Sequence, residues 1–279
     1  MSDAPIAFLD SGIGGIPYLE ASRRLLPSDA FFYYADNAHF PYGERTSQEL
    51  RKITQEAVSL IIERAAPRLI VVACNTASVV ALDSLREAFP VRFVGVVPAI
   101  KPAAEIVGSG RIAVLATSRT VEDPYVSALI RRFAPRNQVE LVAAGGLVQM
   151  IEQRLGSLDR GELDAALSAP IEHLRRAAVD AVVLGCTHFI HVRSRIEELL
   201  GPGIRVIDSV EGVARQTARL ARAYDGADAP TAVDVHDTPR GRVELVVSSR
   251  GRAGTSYDYL AEAYGLVLGE LHERHRTHR

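Results

Sequence analysis

Only two cysteines, Cys74 and Cys186, occur among 279 residues. That excludes a disulfide framework and leaves, in a reducing compartment, two free thiols whose positions need another explanation. A formal net charge of -2 argues against a nucleic-acid surface or a basic membrane patch. No apolar run approaches membrane-spanning length, and Met1 to Pro5 lack the basic region and apolar stretch of a secretory signal, so a soluble cytoplasmic protein is expected. Neither Gly-x-x-x-x-Gly-Lys-Ser/Thr nor Gly-x-Gly-x-x-Gly is present, which makes a nucleotide the weaker ligand for the glycine-rich turns.

What is there is an ordinary globular composition, 47% hydrophobic and 24% charged, in a chain long enough for about two domains or one large one. Short apolar runs at Pro5 to Leu9, Phe31 to Ala35 and Leu69 to Ala73 read as strands, separated by helical patterns over Ile16 to Leu26 and Thr46 to Ala66. Thr46 with Glu49 three residues on has the form of a capping box. Strand and helix alternating at this rhythm argue for mainly parallel, doubly wound α/β sheets, whose ligands bind beyond the carboxyl ends of the strands.

The second half repeats this order. Ile112 to Thr117 aligns with Ile6 to Ser11, and the strand before Cys186 aligns with the strand before Cys74. An internal duplication is expected, giving two pseudo-symmetric α/β domains with one thiol each: residues 1–97 plus 209–279, and residues 98–208. Helices are expected over Ala77 to Phe89, Val121 to Phe133, Arg160 to Ala178 and from Ser209 to Tyr224, with a strand around Val139 to Val142. A loop is expected at Asp225 to Pro230, then a strand at Val243 to Val247 and a helix from Ser256 to Leu271, returning to the first half. The histidines of the tail, His272, His275 and His278, suit a solvated, frayed end better than a metal site.

A thiolate serves as a base when a helix N-terminus or hydrogen-bond donors lower its pKa, and both cysteines directly precede a predicted helix. A single Cys at a strand end is usually core; two, each followed by polar residues at a ligand-binding edge, argue for function. Asp10 would face the same cleft, yet its counterpart in the second half is Ala116, so the proton-handling groups are unequal. His188 and Glu152 are the candidates to orient or relay a proton on the Cys186 side. Ser11, Asn75, Thr76 and Thr187 offer neutral donors and acceptors beside the thiols, and Gly12 to Gly15 open a helix whose free amides would accept a carboxylate or a phosphate. Tyr42 and Gly43 sit in a turn that either closes over a small ligand or is plain surface.

Taken together, Asp10-Ser11-Gly12-Ile13-Gly14-Gly15, Pro41-Tyr42-Gly43, Cys74-Asn75-Thr76-Ala77-Ser78, Gly146-Leu147-Val148 with Glu152, and Gly185-Cys186-Thr187-His188 resemble glutamate racemase, of the cofactor-independent aspartate/glutamate racemase superfamily. The motifs run in family order from residue 6 to about residue 213, and the last fifty or so residues match weakly. The resemblance implies two-base racemisation of glutamate in a cleft between the two domains, without a cofactor or a metal, supplying D-glutamate for peptidoglycan. It places Cys74 at the α-proton of the D-enantiomer with Asp10 assisting, and Cys186 at that of the L-enantiomer with His188 and Glu152 assisting. Ser11, Tyr42, Gly43, Asn75, Thr76 and Thr187, with Asp10 and His188, would bind the substrate, and a homodimer is compatible with the family.

Two departures stand out. Where the family commonly carries a Gly-Thr-x-x-Ser-like segment, this chain has Thr117 to Pro124, which leaves binding through Thr117 to Thr120 open. After His188 the usual Tyr-Pro-Leu is Phe189-Ile190-His191, a change in packing, interface or chemistry. The competing readings are a racemase of aspartate or another small acidic amino acid, a Cys-His hydrolase or decarboxylase needing one thiol, and a regulatory binding protein on the same scaffold. A zinc site on Cys186 and His188 lacks the rest of a four-ligand set.

Overall fold

The computed structural model describes residues 4–224 and 243–270. Among the described residues, ten strands form two wholly parallel sheets. The first contains β1 (Ile6–Asp10), β2 (Phe31–Ala35), β3 (Leu69–Val72) and β4 (Arg92–Gly95); the second contains β5 (Arg111–Ala116), β6 (Gln138–Ala143), β7 (Ala181–Leu184) and β8 (Arg205–Ile207). Two later strands, β9 (Val243–Val247) and β10 (Val267–Glu270), return to the first sheet. The sheet orders are β10-β9-β2-β1-β3-β4 and β6-β5-β7-β8, so the four strands of the second sheet repeat the order of β2-β1-β3-β4. This is the two-sheet, mainly parallel α/β architecture with internal pseudo-symmetry that the repeated strand motifs predict.

The central strands are buried on both faces, as parallel strands covered by helices must be. Every residue of β1, β2, β3 and β7 is buried. One consequence decides where chemistry can occur: β1, β3, β5 and β7 all run the same way within their sheets, so the residues following them meet at the carboxyl ends. The helix Val210–Tyr224 packs against the helix Ile16–Leu25 and carries the chain back to the first sheet. No helix among the described residues is long and apolar enough to cross a membrane.

Local signals explain most boundaries. The helix Ser47–Ala65 begins with the expected capping box: Glu49 N–H donates to Thr46 Oγ1 at 3.2 Å, and Thr46 N–H donates to Glu49 Oε2 at 2.9 Å. Its buried residues Leu50, Thr54, Ala57, Val58 and Ile61 form one face at helical spacing.

Three expectations need correction. The stretch expected as one helix over Val121 to Phe133 is two, Ser118–Glu122 and Pro124–Phe133. Asp123, preceding proline, takes an extended conformation (φ -74°, ψ 132°) and caps the second helix through Oδ1, which accepts from Tyr125 N–H at 2.9 Å. The helix expected to reach Leu271 spans Thr255–Tyr264 and stops at Gly265, whose left-handed φ of 62° ends it before β10 begins. Cys186 precedes a 3₁₀ turn, Thr187–Val192, rather than an α-helix. The expected loop at Asp225 to Pro230 and the histidine tail lie outside the described residues.

Thr46→Ala removes one half of the capping box and should lower stability by about 1 kcal/mol, read as a reduced urea midpoint with an unchanged denaturant slope.

Candidate active site

Cys74 stands at the N-cap position of the helix Asn75–Ala88, one residue beyond Ala73, whose N–H bonds Leu9 O at 2.7 Å. The helix therefore begins immediately after the thiol, and the N–H groups of Ala77 and Thr76 point at the sulfur. Burial nevertheless pushes the thiol well above its ordinary pKa, the negative charge of Asp10 adds to this, and the two amides only partly offset it. Cys74 rests as a thiol.

Asp10, the last residue of β1, is fully buried. Its Oδ2 accepts from Gly12 N–H at 3.3 Å and Gly15 N–H at 3.2 Å, whereas Oδ1 is buried with no hydrogen-bond partner in the protein. Burial raises the Asp10 carboxyl above its ordinary value; His188 pulls it back, and Glu152 pushes it further up.

Around Cys186 the arrangement differs. Glu152, on the helix Gly145–Arg154, is buried and takes three donors or partners: Ile13 N–H at 2.9 Å and His188 Nε2 at 2.8 Å on Oε2, and the Tyr257 hydroxyl at 2.5 Å on Oε1. For His188, burial opposes a positive charge. Hydrogen bonds to Cys186 and Glu152 outweigh it and raise the imidazole pKa well above its ordinary value. The fold thus holds His188 as an imidazolium between a sulfur and a carboxylate.

The two halves are pressed together by glycines. A Cβ at Gly12 would lie 2.2 Å from Glu152 Oε2, and one at Gly14 would lie 2.4 Å from Thr187 Oγ1 and 2.6 Å from His188 Nδ1. No side chain fits at either position, so the glycine turn after β1 exists to let the second sheet's residues approach. The departure at His191 joins the same contact. Its Nε2 donates to Ile13 O at 3.0 Å, and desolvation holds the imidazole down to about 4, so it is neutral. Phe189 is fully buried. His191 thus makes a contact across the cleft, and Phe189 belongs to the hydrophobic core.

Both thiols line one narrow cavity of about 10 Å³, bounded by Ser11, Tyr42, Gly43, Cys74, Asn75 and Thr76 on the first sheet's side and by Cys186, Thr187 and His188 on the second's. Asn75 is buried with both ends of its amide unpartnered, and together with Asp10 Oδ1 it leaves polar atoms that a ligand can satisfy. The Tyr42 hydroxyl points elsewhere: it donates to Asp36 Oδ2 at 2.7 Å, so only the rest of the residue faces the cavity. Gly43 abuts Thr117, with a Cβ there falling 2.9 Å from Thr117 Cβ.

Asp10, Glu152 and all the other candidates therefore converge, although Asp10 and Glu152 stand behind the cavity wall rather than on it. Pro41 and Val148, which the sequence offered only as parts of motifs, also line the cavity, and so does Thr117, whose part in binding the sequence left open. Thr117 carried a signal, because the repeat aligns it with Ser11. Its hydroxyl lies 3.1 Å from Thr76 Oγ1 and 3.0 Å from Thr120 Oγ1, which puts the Thr117 to Thr120 departure at the site, with Thr120 behind the wall. Tyr257 carried no local signal. Among the described residues, no group of three or more His, Cys, Asp or Glu side chains is arranged to hold a metal ion.

Comparison with known proteins bears on what such a cavity serves. The profile of the Asp/Glu/hydantoin racemase family matches residues 18–217. The chain belongs to that family. Among racemases of this family, the glutamate racemase of Sphingopyxis alaskensis is 43% identical over 220 residues, covering 78% of this chain and 82% of the relative. That of Mesorhizobium japonicum is 35% identical over 271 residues, covering 96% and 100%. The crystal structure of Escherichia coli glutamate racemase in complex with L-glutamate and the activator UDP-MurNAc-Ala superposes with a TM-score of 0.80 at 34% identity, covering 95% of this chain and 97% of that one. The racemase fold is thus shared over nearly the whole chain.

The raised Asp10 carboxyl has a consequence for stability. Its folded pKa lies above the unfolded value, so the protonated form stabilises the fold at low pH and that contribution is lost as pH rises through the folded value. Asp10→Asn keeps an oxygen for the Gly12 and Gly15 amides and removes the buried charge. Urea denaturation should find the variant more stable than the native protein near neutral pH, with the advantage shrinking as pH falls toward about 4.

Proposed function

We propose that this chain interconverts L- and D-glutamate by a two-base mechanism without a cofactor. The observation that carries it is that two buried thiols, one from the carboxyl end of each sheet, open into the same cavity with different helpers. The activity itself follows from membership of the racemase family and from relatives that are glutamate racemases over most of their length.

In the L-to-D direction, Cys186 takes the α-proton and Cys74 delivers one to the opposite face; the reverse direction exchanges the roles. The resting protonation states suit the first of these. Cys74 is held as a thiol by burial and by Asp10, ready to donate, and the Cys186 side chain has the imidazole of His188 as its hydrogen-bond partner. Asp10 then assists Cys74 in regaining or losing its proton, while His188 and Glu152 do the same for Cys186. The unpartnered amide of Asn75 and the hydroxyls of Ser11, Thr76 and Thr187 supply donors for the substrate's carboxylates, and Asp10 Oδ1 supplies an acceptor for its ammonium. With its hydroxyl committed to Asp36, Tyr42 contributes its ring and, with Gly43, its backbone. On this reading the protein is a cytoplasmic enzyme, monomer or homodimer, that supplies D-glutamate for peptidoglycan synthesis.

Purified protein given L-glutamate in deuterated water should form D-glutamate carrying deuterium at the α-carbon. Cys74→Ser and Cys186→Ser should each lower interconversion by about 10²–10⁴-fold. Full turnover in either variant would replace two bases by a single reactive thiol.

A further inference from the structure

The family profile ends at residue 217, yet the carboxy-terminal segment reaches the site. Gly254 comes so close to the end of the helix Gly145–Arg154 that a Cβ there would lie 3.2 Å from Gln153 O. The next residues grip that helix around Glu152. Ser256 Oγ accepts from Leu155 N–H at 2.9 Å and donates to Ile151 O at 3.4 Å. Tyr257, fully buried, donates its hydroxyl to Glu152 Oε1 at 2.5 Å.

We propose that Tyr257 is a positioning residue of the racemase reaction, holding Glu152 oriented toward His188 and so acting on the Cys186 half of the reaction alone. The proposal rests on the two-thiol reading above. Oε2 of Glu152 serves Ile13 and His188, and Oε1 has the Tyr257 hydroxyl as its hydrogen-bond donor. Burial and the neighbouring carboxylate keep the phenol protonated, so its hydroxyl donates to Glu152. Without it a buried carboxylate oxygen loses its donor, and the cheapest remedy is to take the proton from His188. Two neutral groups would then replace the imidazolium–carboxylate pair, and Cys186 would lose the positive charge beside it. Asp10, on the Cys74 side, is held by backbone amides of Gly12 and Gly15 and makes no hydrogen bond with Tyr257.

The experiment is the primary isotope effect on kcat/KM, measured separately with α-deuterated L-glutamate and α-deuterated D-glutamate. The first reports proton abstraction by Cys186, the second by Cys74. Tyr257→Phe preserves the ring and should lower turnover about tenfold or more. It should also raise the isotope effect for the L-enantiomer and lower it for the D-enantiomer, because the Cys186 step becomes the slower one. Ser256→Ala loosens the same helix without touching the carboxylate, and its isotope effects should stay native. Turnover within about twofold of native in Tyr257→Phe, lowered turnover with no such split, or the same split in Ser256→Ala would each overturn the proposal. Should the native protein exchange the α-proton of neither enantiomer, the two-thiol reading falls first and this one with it; native exchange with an unsplit Tyr257→Phe removes this one alone.

Discussion

The structure depends on one buried carboxylate. Glu152 receives Ile13 from the turn after β1, His188 from the turn after β7 and Tyr257 from the carboxy-terminal helix. Those three contacts come from segments 139, 36 and 105 positions away from Glu152 in the sequence, and they help bring the ends of the two sheets to a common cavity. An uncompensated carboxylate at this depth would be expelled or neutralised. Three partners make it tenable, and because each partner sits on a different element, satisfying the charge also sets the position of those elements. Gly12 and Gly14 are the steric side of the same constraint: the first must admit the Glu152 carboxylate and the second the Thr187 and His188 side chains.

A symmetric frame therefore carries an unsymmetric site. The sheets repeat their strand order, and each puts a thiol after its third strand in sequence. The groups behind the thiols differ in sign and in how they are held. Behind Cys74 stands a carboxyl with backbone amides as its only donors, and its charge opposes ionisation of the thiol. Behind Cys186 stands an imidazole raised above its ordinary pKa by hydrogen bonds to the sulfur and to a carboxylate. Burial raises the Asp10 carboxyl and opposes the imidazolium, so burial alone cannot produce the positive charge on one side. The pairing of His188 with Glu152 does.

How much of this could be read beforehand follows from the range of the interactions. Strands β2 and β9 and the capping box of Ser47–Ala65 rest on neighbours within a few residues, and they appear where the local pattern puts them. The break at Asp123-Pro124 and the stop at Gly265 were also local, but a continuing apolar pattern masked them; proline and glycine outweighed it. The pairing of Cys74 with Cys186 was legible because the repeat makes each half a guide to the other, and Asp10, His188 and Glu152 through the motifs around them. Thr117 could have been found from the repeat, through Ser11. Tyr257 could not, since it belongs to no repeat and meets Glu152 across 105 positions of sequence. Nor could the turning of the Tyr42 hydroxyl to Asp36, which only packing decides.

The unpartnered polar atoms complete the reasoning. Folding ordinarily satisfies buried amides and carboxylates, yet Asp10 Oδ1 and both ends of the Asn75 side chain are left without partners, at or directly behind the wall of the cavity. Each lowers the stability of the empty protein, and each becomes an asset when a ligand carrying an ammonium and carboxylates enters. The opposite arrangement holds at Glu152, both of whose oxygens already have partners in Ile13, His188 and Tyr257. The site thus divides its carboxyl groups by accessibility of lone pairs: Asp10 keeps one oxygen open to chemistry, and Glu152 is spent on holding its neighbours in place.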